Sequence, residues 1–202
     1  MQAYSPPLIL ASGSAARRAV LAGAGLRFAV RRSDVDESAL KLAARSEGVD
    51  ATETAIRLAN AKAAMVAHAE TQALVIGADQ ILECEGTWYD KPPDLAAARR
   101  QLLALRGRSH TLATAVVCRR GESLSWQHTA LPRLTMRLFS ERFLDAYLAA
   151  EGEHVLGSVG AYRLEGPGVQ LFSAVAGDHA AILGLPLLPL LAFLRDTGVV
   201  WA

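Results

Sequence analysis

Two short, wholly apolar runs constrain this chain more than anything else in it: Leu8-Ile9-Leu10-Ala11 and Leu74-Val75-Ile76. A strand with one wet face alternates apolar and polar residues, so a run with no polar position must be covered on both sides. Small residues follow each run. After the first, Ser12-Gly13-Ser14 turns the chain, and Ala15 to Ala24 reads as a helix with Val20 and Leu21 inward and Gly25 as its stop. Phe28-Ala29-Val30 resumes as a strand. The pattern predicts strand–helix–strand crossovers.

Further along, Asp50 and Glu53 form a D-x-x-E capping pair ahead of a helix through about Ala69, with Ile56, Ala59, Ala63 and Val66 on its apolar face. Leu74 to Ile76 runs straight into Gly77-Ala78-Asp79-Gln80. Glu85-Gly86 predicts a hairpin turn before Trp88 and Tyr89. Asp94 caps a helix over Leu95 to Leu105, closed near Gly107. Leu112 to Cys118 and Leu131 to Leu138 read as antiparallel strands flanking Arg120-Gly121-Glu122. Ser140 caps a helix to Ala150, glycines cluster from 157 to 177, and Leu187 to Arg195 is a closing helix behind Pro186. Hairpins beside crossovers give an α/β domain with a mixed sheet. No repeat or long linker interrupts it, so residues 1–202 are expected to form a single domain.

Composition narrows the function. At 202 residues and 51% hydrophobic, the chain buries a core without metal or disulfide staples and is too apolar to be disordered. Twenty-one basic and twenty acidic residues leave a net charge of +1, so no global field points to nucleic acid or a membrane. Cys84 and Cys118 read as half-buried thiols of a reducing compartment. Met1 to Pro7 lacks the charged region of a secretory leader, and the apolar stretch Leu183 to Leu194 is broken by Pro186 and Pro189. The expectation is a soluble cytoplasmic protein.

Several segments carry residues suited to chemistry, each with a plainer alternative. Ser12-Gly13-Ser14-Ala15-Ala16-Arg17-Arg18 sets two arginines in the first turns of a helix, where the macrodipole disfavours cations unless an anion joins them; the alternative is solvated surface charge. Asp79 follows a buried strand, where it would bind a cation or take a proton from water, or simply begin a hairpin. Lys62 interrupts an alanine-rich helical face, and Lys91 precedes a stiff Pro92-Pro93; either is also an ordinary solubilising lysine. Asp34, Asp36 and Glu37 lie in an expected loop that would bind Mg²⁺ or stay solvated. Gly157 to Gly168 is dense in glycine, which admits a ligand close to the backbone, and Glu165 is an acceptor for a base edge or an exposed hairpin residue. The five histidines show no metal-ligand spacing, and the three tryptophans are too dispersed for a stacking platform.

Taken in order, these pieces resemble the Maf family of nucleoside triphosphate pyrophosphatases, over Leu8 to Gly198. They are Leu8 to Ser14, Arg17-Arg18, Val35-Asp36-Glu37, Arg57-Leu58-Ala59 with Lys62-Ala63, and Ile76 to Gln80. Lys91-Pro92, Gly107 with His110, Thr114-Ala115-Val116, Gly160-Ala161-Tyr162, Glu165-Gly166 with Gly168, and Gly184-Leu185-Pro186 complete the set. The resemblance implies a Maf/ITPase-like α/β fold: a mixed twisted sheet with flanking helices and two lobes around a central cleft. It implies hydrolysis between the α and β phosphates of a nucleotide, with a divalent metal, Mg²⁺ or Mn²⁺, as cofactor. The substrate is a nucleoside triphosphate, with neither nucleic acid nor membrane as partner, and family members are often dimeric, which implies a homodimer. Asp79 falls on the family's proton acceptor. Ser12, Ser14, Arg17, Lys62 and Lys91 fall on phosphate-handling positions, and Glu37, with Asp79, on the metal.

Gln80 and Glu165 are similar to the subgroup acting on 7-methyl-GTP, and a glutamate suits a cationic N7-methylated guanine. Ala15-Ala16 departs from the family, which has proline and then arginine or tryptophan there, and Ser158 stands where many relatives have lysine. A second reading, from the family's historical link to septum formation, is a nucleotide-binding regulator of division without turnover. A third is a structural α/β interaction domain.

Overall fold

The computed structural model describes Gln2 and residues 6–201; the N-terminal stretch scanned for a leader lies mostly outside the described residues. The chain divides into two compact units, one of residues 1–80, 114–130 and 178–202, the other of residues 81–113 and 131–177.

The first unit is built on crossovers. β1 (Leu8–Leu10) runs parallel to both β2 (Ala29–Val30) and β3 (Leu74–Cys84). α1 (Ala15–Gly23) makes the first connection; α2 (Glu37–Ser46) and α3 (Ala51–Ala69) make the second. Asp50 caps α3, accepting from Glu53 N at 2.8 Å as the capping pair predicts. The buried face of α3 is Ala55, Leu58, Ala59, Lys62, Ala63, Val66 and Ala67; Ile56 is only half-buried. The core joins Leu8, Leu10, Leu21, Leu74, Ile76 and Val116 to Leu185, Leu190 and Leu194. The last two lie on α7 (Leu187–Asp196), which follows a four-residue helix, α6 (His179–Ile182).

The second unit holds the hairpin from the end of β3 to β4 (Thr87–Tyr89), turned by Glu85 and Gly86 at positive φ. It also holds α4 (Leu95–Leu105), β7 (Arg133–Met136), α5 (Glu141–Glu151) and β8 (Phe172–Ala176). β7 pairs antiparallel with β8 and with the start of β5 (Ser109–Arg120), and the rest of β5 pairs antiparallel with β6 (Ser123–Ala130) in the first unit. Parallel and antiparallel pairs together make the mixed sheet that the alternation of crossovers and hairpins requires.

Five expectations need correction. Asp34 and Asp36 lie in the expected loop but Glu37 does not: Asp36 caps α2, accepting from Ala39 N at 2.9 Å, and Glu37 opens the helix. Asp79 is not at a strand end, because β3 continues through it to Cys84. The strand paired across Gly121 is β6, in which only Leu124 and Trp126 alternate with the polar Ser123, Ser125 and Gln127. Gly157 to Gly168 is no hairpin; it forms short 3-10 turns over Gly152–Gly157, Val159–Ala161 and Pro167–Leu171. Both cysteines are free and buried rather than half-buried. Among the described residues, no helix is long and apolar enough to cross a membrane.

Candidate active site

The loop between β1 and α1 is organised around Arg17. Ser14 is the N-cap of α1, and its Oγ accepts from Arg17 N at 3.3 Å. Ser12 is buried, and its Oγ accepts from Ser14 N and from Arg17 Nη1, both at 3.2 Å. Arg17 Nε donates to the Gly184 carbonyl at 2.8 Å. Gly184 adopts φ +97°, and a Cβ there would stand 3.1 Å from Arg17 Nε, so both backbone and space call for glycine. Burial pulls the Arg17 pKa below its usual value, while the charges of Asp79 and Glu37 act the other way. The guanidinium stays cationic, because its free pKa lies far above neutrality. The first turn of α1 holds no acid, so its unpaired amides, its dipole and Arg17 add to one positive site.

Asp79 stands on β3 facing α3. That helix approaches the strand closely because both surfaces are small: a Cβ on Gly77 would collide with the Ala59 carbonyl and lie 2.8 Å from Ala63 Cβ. The close approach sets Lys62 against Asp79. Lys62 Nζ donates to Asp79 Oδ1 at 2.5 Å and reaches Glu37 Oε1 at 2.8 Å. Lys62 and Asp79 are 6% and 5% exposed, so this is a buried charge pair, with the more exposed Glu37 at its outer side. Asp79 Oδ2 is buried and has no hydrogen-bond partner among the described residues. Buried polar atoms are nearly always satisfied, so this orphaned carboxylate oxygen is a candidate ligand position.

The donors are hard oxygens, the kind Mg²⁺ and Mn²⁺ prefer. Among the described residues no group of three or more His, Cys, Asp or Glu is arranged to hold a metal by itself. Glu37 and Asp79 therefore fit the sort of Mg²⁺ site that one or two carboxylates share with substrate phosphates.

Gln80 points away from Lys62. Its Nε2 donates to Thr114 Oγ1 at 2.8 Å and to the carbonyls of Ala181 and Ile182 at 3.0 and 3.1 Å. Carbonyls only accept, which fixes the amide orientation. The first unit thus assembles Ser12, Ser14, Arg17, Glu37, Lys62, Asp79 and Gln80. Lys91 and Glu165 belong to the second. Lys91 is exposed, and the segment before it is anchored where Gln101 Nε2 donates to the Asp90 carbonyl at 2.8 Å. His110, from the Gly107–His110 piece, is buried: its Nε2 is 2.8 Å from the Tyr162 hydroxyl, and burial lowers its pKa to about 4. It is a neutral core residue.

Sequence reasoning missed two contributors. Gly184 was noted as a motif residue, but its grip on Arg17 spans 167 positions. Arg32 was not singled out, yet its Nε lies 3.1 Å from where a Cβ on Gly13 would be, adding a cation to the Ser12–Ser14 loop. Its only signal was the pair Arg31-Arg32 just after a strand.

A family model described as "Maf-like protein" matches residues 7–197. The chain belongs to the Maf family. A Maf relative from Granulibacter bethesdensis, named nucleoside triphosphate pyrophosphatase, is 55% identical over 189 residues, covering 94% of this chain and 96% of the relative. One of the same name from Gluconobacter oxydans is 51% identical over the whole of both chains. A third, from Rhizobium meliloti, is named 7-methyl-GTP pyrophosphatase and is 45% identical over 96% of this chain and 98% of its own.

Proposed function

We propose that this Maf protein hydrolyses nucleoside triphosphates at the α–β phosphoanhydride, releasing the nucleoside monophosphate and pyrophosphate. The observation that carries this is the buried Asp79 carboxylate, pinned at Oδ1 by Lys62 and open at Oδ2, in the field of Arg17. Relatives over nearly the full length are named for this activity, which disfavours a regulator of division without turnover.

Asp79 Oδ2 orients the attacking water and takes its proton. Lys62 fixes the carboxylate in place through Oδ1. Arg17 is already immobilised by Ser12 and Gly184, so little side-chain entropy is lost when its remaining N–H groups meet phosphate oxygens. Ser12, Ser14 and the first amides of α1 complete that grip, and the fixed cations stabilise charge building on the departing pyrophosphate. A bound Mg²⁺ or Mn²⁺, held by Asp79 and Glu37, would neutralise phosphate charge and polarise the reacting phosphorus. Lys91 serves the phosphates as well, while Gln80 Oε1 and Glu165 serve the base.

The base is a modified or non-canonical one, with 7-methyl-GTP the leading candidate, because relatives from Rhizobium meliloti and Mesorhizobium japonicum carry that name and Glu165 suits a cationic guanine. Ala15-Ala16 supplies no aromatic stack, so recognition falls on polar contacts. An enzyme of free nucleotides belongs in the cytoplasm, and a homodimer is the assembly expected of it. The deciding experiment incubates the purified protein with canonical and methylated triphosphates and Mg²⁺ or Mn²⁺ and identifies both products. Monophosphate with pyrophosphate supports the proposal. Diphosphate with orthophosphate, or nucleotide binding without either product, refutes it.

A further inference from the structure

Glu151, the last residue of α5, is a carboxylate only 5% exposed. Its ion-pair partner is Arg163, with Nη1 3.4 Å from Glu151 Oε2. The same guanidinium reaches outward, with Nε 3.5 Å from Glu165 Oε1. The three groups therefore lie in a line from the interior to the surface: buried acid, half-buried base, exposed acid.

The glycines of Glu165-Gly166-Pro167-Gly168 make room for this line. A Cβ on Gly166 would lie 3.1 Å from Glu151 Oε1, and one on Gly168 would collide with the Arg163 carbonyl and stand 2.9 Å from its amide nitrogen. Glycine density here accommodates Glu151 and the Arg163 backbone, a different use from the ligand approach it first suggests.

A lone Arg163 beside Glu165 would cancel it, leaving a neutral pair with little to offer a ligand. Glu151 changes that balance. It takes up the charge of Arg163 from behind, so the trio keeps one net negative charge, expressed at Glu165, its exposed end. We infer that Glu151 is a positioning residue that acts on Glu165 through Arg163: by offsetting the Arg163 charge it leaves the negative charge of Glu165 available to a ligand, so that Glu165 selects a cationic base, such as N7-methylated guanine, over a neutral one. This rests on the proposed role of Glu165 in reading the base.

The test measures kcat and KM for 7-methyl-GTP and GTP with wild type, Glu165→Gln, Glu151→Gln and the double variant Glu151→Gln/Arg163→Gln. Wild type should prefer the methylated nucleotide, and Glu165→Gln should remove that preference. Glu151→Gln turns the whole charge of Arg163 on Glu165; the preference should fall about fivefold to tenfold through KM, the scale of one partly exposed charge interaction, with kcat for GTP nearly unchanged. The double variant removes both inner charges and should restore the preference, which no packing defect would do. If Glu165→Gln lowers the preference but Glu151→Gln does not, or the double variant fails to restore it while folded by circular dichroism, the positioning role is overturned and the base-reading role survives. If Glu165→Gln leaves the preference intact, or wild type has none, both fall.

Discussion

Each unit of the molecule buries charge, and the two do it differently. In the first, Lys62 and Asp79 sit at the interior with Oδ2 left open, and the neighbouring Arg17 is desolvated yet already immobilised. In the second, Glu151 is answered by Arg163, and His110 stays neutral against Tyr162. A carboxylate kept from water costs several kcal/mol unless partners replace its hydration. In the second unit Arg163 supplies a partner to Glu151. The first stops one oxygen short, which is tolerable where a ligand completes the set. The proposed chemistry rests on this incompletely satisfied buried acid, not on burial or charge alone.

The largest effect should come from closing that oxygen. Asp79→Asn keeps shape and burial but cannot accept a proton, so turnover should fall on the order of 10²–10⁴-fold. Nucleotide binding, followed by calorimetry, should stay measurable; near-normal turnover would remove Asp79 from the chemistry.

Lys62→Met leaves Asp79 and Glu37 facing each other without their shared cation. Breaking a buried pair in this way should cost about 3–5 kcal/mol of stability. Urea unfolding reads it directly, and a loss under about 1 kcal/mol would mean the pair behaves as a surface one.

His110 tests the second unit by pH. Its folded pKa near 4 lies below the ordinary 6.5, so the unfolded chain takes the proton first. Stability from this group is whole above pH 6.5 and drains away as pH falls toward 4, by about 3 kcal/mol in all. Unfolding midpoints across that window should drop more steeply in wild type than in His110→Gln; parallel curves would contradict it.

The smallest effect separates cap from ligand. Ser14→Ala removes the N-cap of α1 and should cost about 1 kcal/mol of stability. If Ser14 also holds phosphate, KM should rise beyond what that loss explains; an unchanged KM would confine Ser14 to capping.

Much of this was legible in the chain. Apolar runs gave β1 and the start of β3, and capping residues placed α3, α4 and α5 within a residue or so of their ends, because these depend on neighbours a few positions away. What escaped were elements whose stability is decided elsewhere. β6 carries only a short alternation, Leu124 and Trp126 among polar residues, and β5 gives its backbone a partner. β3 continues through Asp79, against that residue's propensity, because neighbouring strands pair with its backbone, and Lys62 meets the side chain there.

By itself, then, the sequence determined the α/β pattern, the family and the identity of the charged residues, since periodicity, capping and ordered motifs are properties of local order. Only the tertiary structure decided what those residues do to one another. Lys62 bridging Glu37 and Asp79, Gly184 seizing Arg17, Gln80 turned toward Ala181 and Ile182, and Glu151 standing behind Arg163 are all meetings across the fold. Charge and hydrogen bonding act over a few ångströms of space, and distance along the chain says nothing about which groups will share them.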